Sequence, residues 1–354
     1  MHGQQSRGKA AGKPVVRAEN MVNDVGIEGD PLPSDRCTHC PGSHTAACPR
    51  LASATVKARA WLLVEHPGPW ADRIEDTALF APVGRALAQA REQSVRVQLI
   101  RRPGRRRGIP PIQVYLAWSG AEPWLTGKEL ADPAELDGID LRAIGAGLCP
   151  DFGIPVQRLF LVCTNGKHNA CCARLGAPLA RTLRDEFGAV VWETTHLGGD
   201  RYAANLVCLP HGLYYGDLAL ADGLVAAERY LRGEVWLDRY RGRAGLDQPA
   251  QAAEHFLRAH TGIFAADSLT IESVSGVQVS DVVVGLDGER YLIRVERVRS
   301  DSCAPGCTAN ADTYMLRGLV RHEMAGQSII ITNGVLSVRR PAPTTLLPGD
   351  MATR

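Results

Sequence analysis

No stretch of this chain approaches the roughly 18 consecutive apolar residues of a membrane-spanning helix, so a helical membrane protein is not expected. Charge of one sign is also lacking. The 40 Lys and Arg residues stand against 38 Asp and Glu, and a net charge of +2 gives no global field to gather nucleic acid or an anionic membrane. The first 20 residues, MHGQQSRGKAAGKPVVRAEN, are basic but contain no apolar core, and read as a disordered tail rather than a signal peptide. A cytoplasmic protein is the expectation these absences leave.

Cysteine is plentiful instead. The ten cysteines fall in groups: Cys37, Cys40 and Cys48; Cys163, Cys171 and Cys172; then Cys303 and Cys307, with Cys149 and Cys208 apart. Buried thiols and a disulfide or two would account for scattered cysteines. Clustering in a chain without an export signal points to metal or redox chemistry.

A length of 354 residues exceeds what one hydrophobic core of about 250–300 residues supports, so more than one domain is expected. Residues 1–50 read as a flexible Cys-containing segment. In 51–150, AWLLVE (60–65), VRVQLI (95–100) and IQVYLAW (112–118) read as strands, with a helix over 79–93 between the first two. In 151–244 the pattern recurs: strand 158–163, helix 177–187, strand 190–193, a hairpin around Pro210-His211-Gly212, and a helix over 224–231. Strand–helix–strand–hairpin–helix is the order of a thioredoxin-like core. The expected class is therefore α/β, a thioredoxin-like sandwich built from two related halves that share element order without obvious identity. Residues 245–335 read as a small α+β appendage: a helix over 251–260, three strands within 268–298 that turn at Leu286-Asp287-Gly288, and a last helix over 311–324. Residues 336–354 read as a disordered tail.

The chemistry concentrates between Cys163 and Asp200. An apolar strand delivers Cys163 to a sheet edge, and a short polar loop, Thr164-Asn165-Gly166-Lys167-His168-Asn169, leads to Cys171 and Cys172 just before the helix. The positive end of that helix favours thiolates. The next strand ends in Thr194-Thr195-His196-Leu197-Gly198-Gly199-Asp200. Ligands of α/β sheets collect at the carboxyl ends of strands, so the two loops are expected to meet. Two cysteines, a histidine and a carboxylate make a metal set; a strand cap and a tight glycine turn make the plainer alternative.

LVCTNGKHNACCARLGAPLA, VWETTHLGGDRYAANLVCLPHGLYYG and the upstream WLLVEHPGPW and LIRRPGR, four separated motifs in the right order, resemble the sucrase/ferredoxin-like family. The resemblance implies a thioredoxin-like [2Fe–2S] ferredoxin whose cluster is held by a C-x8-C loop and a later H-x-G-G-H motif. On that pattern Cys163 and Cys172 match the cysteines and His196 the first histidine, while Asp200 stands where the second histidine would be. A carboxylate is a hard donor in a soft site. Asp200, Cys171, His168 or a cysteine from elsewhere is then the fourth ligand, or the cluster has been lost. Imidazole ligands raise the potential of such a centre. The implied function is electron transfer with a reductase or acceptor protein as redox partner. Nothing resembles a glycosidase carboxylate pair.

Other candidates are lesser. Cys37, Cys40, His44 and Cys48, with His39 among them, have the donor types of a small structural zinc site. Cys303 and Cys307 make a tight C-x3-C, suited to a disulfide or to ligation together with another group. Arg101, Arg102, Arg105, Arg106 and Arg107 read as a solvated loop or a docking patch for an acidic partner, as does the shorter Arg241-Gly242-Arg243; nucleic acid is not expected as a partner. Trp61 and Trp192 read as core. A metal-stabilised binding module without a redox role and a thiol redox protein remain the competing functions.

Overall fold

The computed structural model describes residues 50–103, 111–299, 312–322, 328–332 and 335–339. Cys37, His39, Cys40, His44, Cys48, Arg105, Arg106, Arg107, Cys303 and Cys307 lie outside them.

The larger unit is a mixed α/β structure around a ten-stranded sheet. Strand β1 (Ala60–Glu65) is buried along its whole length, as an apolar run covered on both faces should be. Helix α1 (Ala81–Glu92) carries Pro82 in its first turn and buries Val83, Ala86, Leu87 and Ala90, one helical stripe. It returns the chain to β2 (Val95–Arg101), parallel to β1. Strand β3 (Ile112–Trp118) runs antiparallel on the other side of β1, and β4 (Trp124–Leu130) antiparallel to β3. The sequence reading passed over β4, whose outer residues Lys128 and Glu129 are exposed and break the apolar alternation. A short helix α2 (Leu141–Gly145), capped by the Asp140 side chain, and the two-residue β5 (Ile154–Pro155) complete this run.

The second run repeats the pairing. Strand β6 (Leu159–Cys163) lies parallel to β7 (Val191–Thr194) across helix α3 (Ala170–Phe187), and antiparallel to β8 (Leu206–Leu209), which pairs with β9 (Leu213–Tyr215). Helix α4 (Leu220–Leu231) and β10 (Tyr240–Arg243) follow. Strand order is β10-β9-β8-β6-β7-β2-β1-β3-β4-β5, and the two runs join where β2 meets β7 antiparallel through Ile100↔Thr194 and Arg101↔Glu193.

Strand alternation sorts side chains between cores. Leu62 and Val64 pack under α1, and Phe160 and Val162 under α3 and α4, whereas Trp61, Leu63, Leu161, Cys163, Trp192 and Tyr214 share one core on the opposite face. Trp61 and Trp192 are core residues, as expected.

The smaller unit is an antiparallel six-stranded sheet packed on α5 (Gln248–Thr261). Strands β11 (Leu269–Gly276), β12 (Val279–Leu286) and β13 (Glu289–Arg299) match the sequence expectation, with Asp287 and Gly288 both at positive φ in the two-residue turn. The helix expected over 311–324 is instead strand β14 (Asp312–His322), paired with β13 over ten residue pairs. Long-range pairing overrides the local helical spacing of Leu316, Leu319 and Val320. Strands β15 (Ser328–Thr332) and β16 (Val335–Arg339) extend the sheet into the start of the segment read as a tail.

A buried ion network joins the units. Glu254 of α5 accepts from Arg243 of β10 and from Arg258, each at 3.1 Å, and from the Tyr240 hydroxyl at 3.1 Å. Burial opposes its charge, but the two guanidiniums prevail and hold the Glu254 carboxyl down at about 2. Arg241 and Arg243 are thus buried structural cations rather than a surface basic patch.

Candidate metal centre

Cys163 closes β6, and its amide donates to the Asn205 carbonyl at 3.1 Å. The chain then turns through a loop fastened at both ends. Thr164 N–H donates to Thr194 O, and Asn165 Nδ2 donates to Ala71 O at 3.1 Å, in the segment after β1. Asn169 caps α3 through Cys171 N–H (2.9 Å), a usual N-cap residue satisfying an orphan donor. The helix therefore begins at Ala170, seven residues before the sequence estimate of 177, and Cys171 and Cys172 sit inside its first turn instead of ahead of it. At Gly176 the helix meets the strand end so closely that a Cβ there would lie 2.0 Å from the Cys163 carbonyl oxygen.

The second loop leaves β7 and is clamped from two sides. Arg96 donates to the His196 and Leu197 carbonyls at 3.2 and 2.9 Å. Arg241 donates to Gly198 O at 3.0 Å, and Asn205 Nδ2 to Gly199 O at 2.8 Å. Gly199 has φ +75°, and a Cβ would meet the Arg241 guanidinium at 2.3 Å, so glycine is required there.

These supports bring the predicted residues together in two overlapping groups. Ligand atoms of Cys163, Cys172 and His196 all lie within 4.8 Å of one another, and so do those of His168, His196 and Asp200. Cys163 Sγ is 4.0 Å from His196 Nδ1. The His168 and His196 rings stack with centroids 3.6 Å apart. The thiols are buried, whereas His168 is exposed and His196 and Asp200 are half-buried. Cys171, also buried, belongs to neither group; Arg174 Nη2 lies 3.9 Å from its sulfur.

The Cys172 thiol donates to Cys163 and, with His196, holds Cys163 well below the usual thiol range despite burial. The same hydrogen bond and burial push Cys172 upward. The pair thus shares one proton more readily than it carries two charges. Two thiols and an imidazole are donors for a soft or borderline ion such as iron or zinc, and their clustering at the carboxyl ends of β6 and β7 fits such a group.

Sequence reasoning missed the supports. Asp72 Oδ1 accepts from His168 Nδ1 at 2.7 Å from 96 residues away, and Arg96 reaches the second loop across a similar span; neither carries a local signal. Asn169 had one, as an Asn directly before a helical run. Arg101 and Arg102, read as part of a solvated loop, are instead engaged. Arg101 pairs with Glu193 at 2.7 Å and covers the Trp70 ring, and Arg102 donates to Ala189 O and covers Trp192.

No curated protein and no solved structure matches the chain in comparison searches. The sucrase/ferredoxin-like family model matches residues 51–242, more than half of the chain and the whole of the candidate centre, and the chain belongs to that family.

Proposed function

We propose that this protein carries electrons through a [2Fe–2S] centre held by Cys163, Cys172 and His196 on a thioredoxin-like unit. The observation that carries the reading is the convergence of those three donors within 4.8 Å, from the ends of β6 and β7 and the first turn of α3. When bound, such a cluster supplies one-electron acceptance and release at a potential raised by imidazole ligation. The chain contributes the rest. The thiols offer buried anchoring atoms, the positive end of α3 works against the burial and hydrogen bond that push the Cys172 thiol upward, and half-buried His196 leaves a short path toward a docked redox partner protein.

The order β9-β8-β6-β7 with α3 and α4 supports the thioredoxin-like assignment, and β4-β3-β1-β2 with α1 and α2 repeats it, which supports two related halves. The five described cysteines are all free thiols, in keeping with a reducing, cytoplasmic setting. Among the described residues, no helix is long and apolar enough to cross a membrane.

A second reading, a zinc-stabilised binding module, is favoured by the mutual closeness of the three donors, which suits one tetrahedral ion. Iron, acid-labile sulfide and zinc measured on anaerobically purified protein separate the two. About two irons and two sulfides per chain are expected, as the cluster formula requires. Zinc alone would establish the second reading, and titratable thiols without metal would return the protein to thiol redox chemistry.

A further inference from the structure

Resting on the metal-centre reading above, the geometry points to His168 as the fourth ligand, with Asp72 of the β1–α1 segment as the residue that positions it and Asp200 outside the coordination sphere. The two donor groups share only His196, with the buried thiols Cys163 and Cys172 on one side and His168 and Asp200 on the solvent side. A binuclear centre with two thiolates inward and His196 outward needs one more outward donor, and two candidates stand beside that imidazole.

Three observations choose between them. First, His168 Nδ1 is engaged by Asp72 Oδ1 at 2.7 Å. A carboxylate on one ring nitrogen fixes the tautomer and leaves the other, Nε2, for metal; metal-bound histidines are usually oriented in this way. Second, Asp200 Oδ2 accepts from Asn169 Nδ2 at 2.7 Å, while Asn169 Oδ1 caps the helix that bears Cys172. The carboxylate thereby braces one loop against the other. Third, imidazole is the softer donor, and a carboxylate is poorly matched to iron–sulfide chemistry. His168 also lies within the loop between Cys163 and Cys172, so the anchors that set the thiols, Asn165 on Ala71 and Asn169 on Cys171, set it as well.

The arrangement gives the first run of strands a part in the centre. Its Asp72 and Ala71 hold the ligand loop of the second run. Asp72 is 61% exposed, so the pair adds little to stability; its role is orientation.

The test compares full-length wild type with five variants, all purified anaerobically, by metal content and by electron paramagnetic resonance after reduction. His168→Ala is expected to lose most of its iron. His168→Cys is expected to keep the wild-type iron and sulfide stoichiometry while shifting the g-values and lowering the midpoint potential, because thiolate replaces imidazole. Asp200→Asn, which still accepts from Asn169, is expected to match wild type in both measurements. Asp72→Asn should retain iron but alter the spectrum, and Asp72→Glu should restore it. Unchanged spectra in both His168 variants, or a shift in Asp200→Asn alone, overturn the assignment and in the second case make Asp200 the ligand. If wild type holds only zinc, the cluster reading fails separately, and the same variants are read after replacement with Co²⁺. An added sulfur-to-cobalt charge-transfer band in His168→Cys then supports ligation by residue 168, and an unchanged cobalt spectrum overturns it. Wild type that takes up neither metal overturns both readings.

Discussion

At the scale of single residues, the five described cysteines divide by what surrounds them. Cys163 and Cys172 face each other and His196; Cys208 is equally buried, but burial alone pushes its thiol upward, in an apolar core with Phe160 and Tyr230. A thiol held neutral in apolar surroundings is inert. Cys172→Ser is therefore expected to lose most bound metal, measured by elemental analysis, while Cys208→Ala keeps wild-type metal content. The cost of Cys208→Ala is confined to packing, on the order of 1 kcal/mol in chemical denaturation. Equal metal loss in both variants would remove the distinction between them.

At the scale of elements, the centre depends on how closely α3 approaches the end of β6. Gly176 makes that contact possible. Helix propensity alone predicts that alanine at an interior helical glycine stabilises by about 1 kcal/mol. Here the added methyl would stand 2.0 Å from the Cys163 carbonyl oxygen, a backbone atom that cannot step aside. Gly176→Ala is accordingly expected to destabilise by roughly 2 kcal/mol, as overpacking does, and to weaken metal retention because Cys172 moves with the helix. A stability gain in urea unfolding would refute this. Asn169→Ala should cost about 1 kcal/mol through loss of the cap and free Asp200 from its partner. The cap also explains why α3 starts earlier than its apolar spacing suggests. Cys171 and Cys172 read as loop ligands, whereas an N-capping Asn next to an alanine-rich run already marked the boundary.

At the scale of the whole molecule, the ten-stranded sheet and the smaller sheet are tied through Glu254, which lies fully buried between Arg243 and Arg258. Its carboxyl is held at about 2, against 4.5 without the fold. A depressed carboxylate contributes stability above its unfolded value, and that contribution is lost as pH falls from about 4.5 toward 2. The contribution is on the order of 3 kcal/mol by linkage. Glu254→Gln is expected to cost about 3–5 kcal/mol at neutral pH, since two buried guanidiniums lose their counter-charge, and to flatten the acid limb of the stability–pH curve. Denaturation midpoints between pH 2 and 6 check both. An acid limb that persists unchanged in the variant would assign it to other carboxylates.

Local pattern by itself determined strands β1–β3 and β6–β9, the presence of a helix between each parallel pair, and the Cys163–Cys172 and His196–Asp200 loops, because buried strands are apolar throughout and ligand sites of α/β sheets gather at their carboxyl ends; it did not find β4 or the buried, Arg-bearing β10. It also carried the family, through motifs each contiguous in sequence. Tertiary structure decided what depends on distant partners. Residues 312–322 became a strand because β13 offered a ladder; Arg241 and Arg243 became interior clamps, and half-buried Arg101 and Arg102 were engaged on the rim, because carbonyls, rings and carboxylates from other elements met them. Above all, it set His168 against His196 and gave it Asp72, where the sequence alone left Asp200, Cys171, His168 or a cysteine from elsewhere for one place. Side-chain direction and hydrogen bonds between residues nearly a hundred positions apart are properties of packing, which no local periodicity encodes.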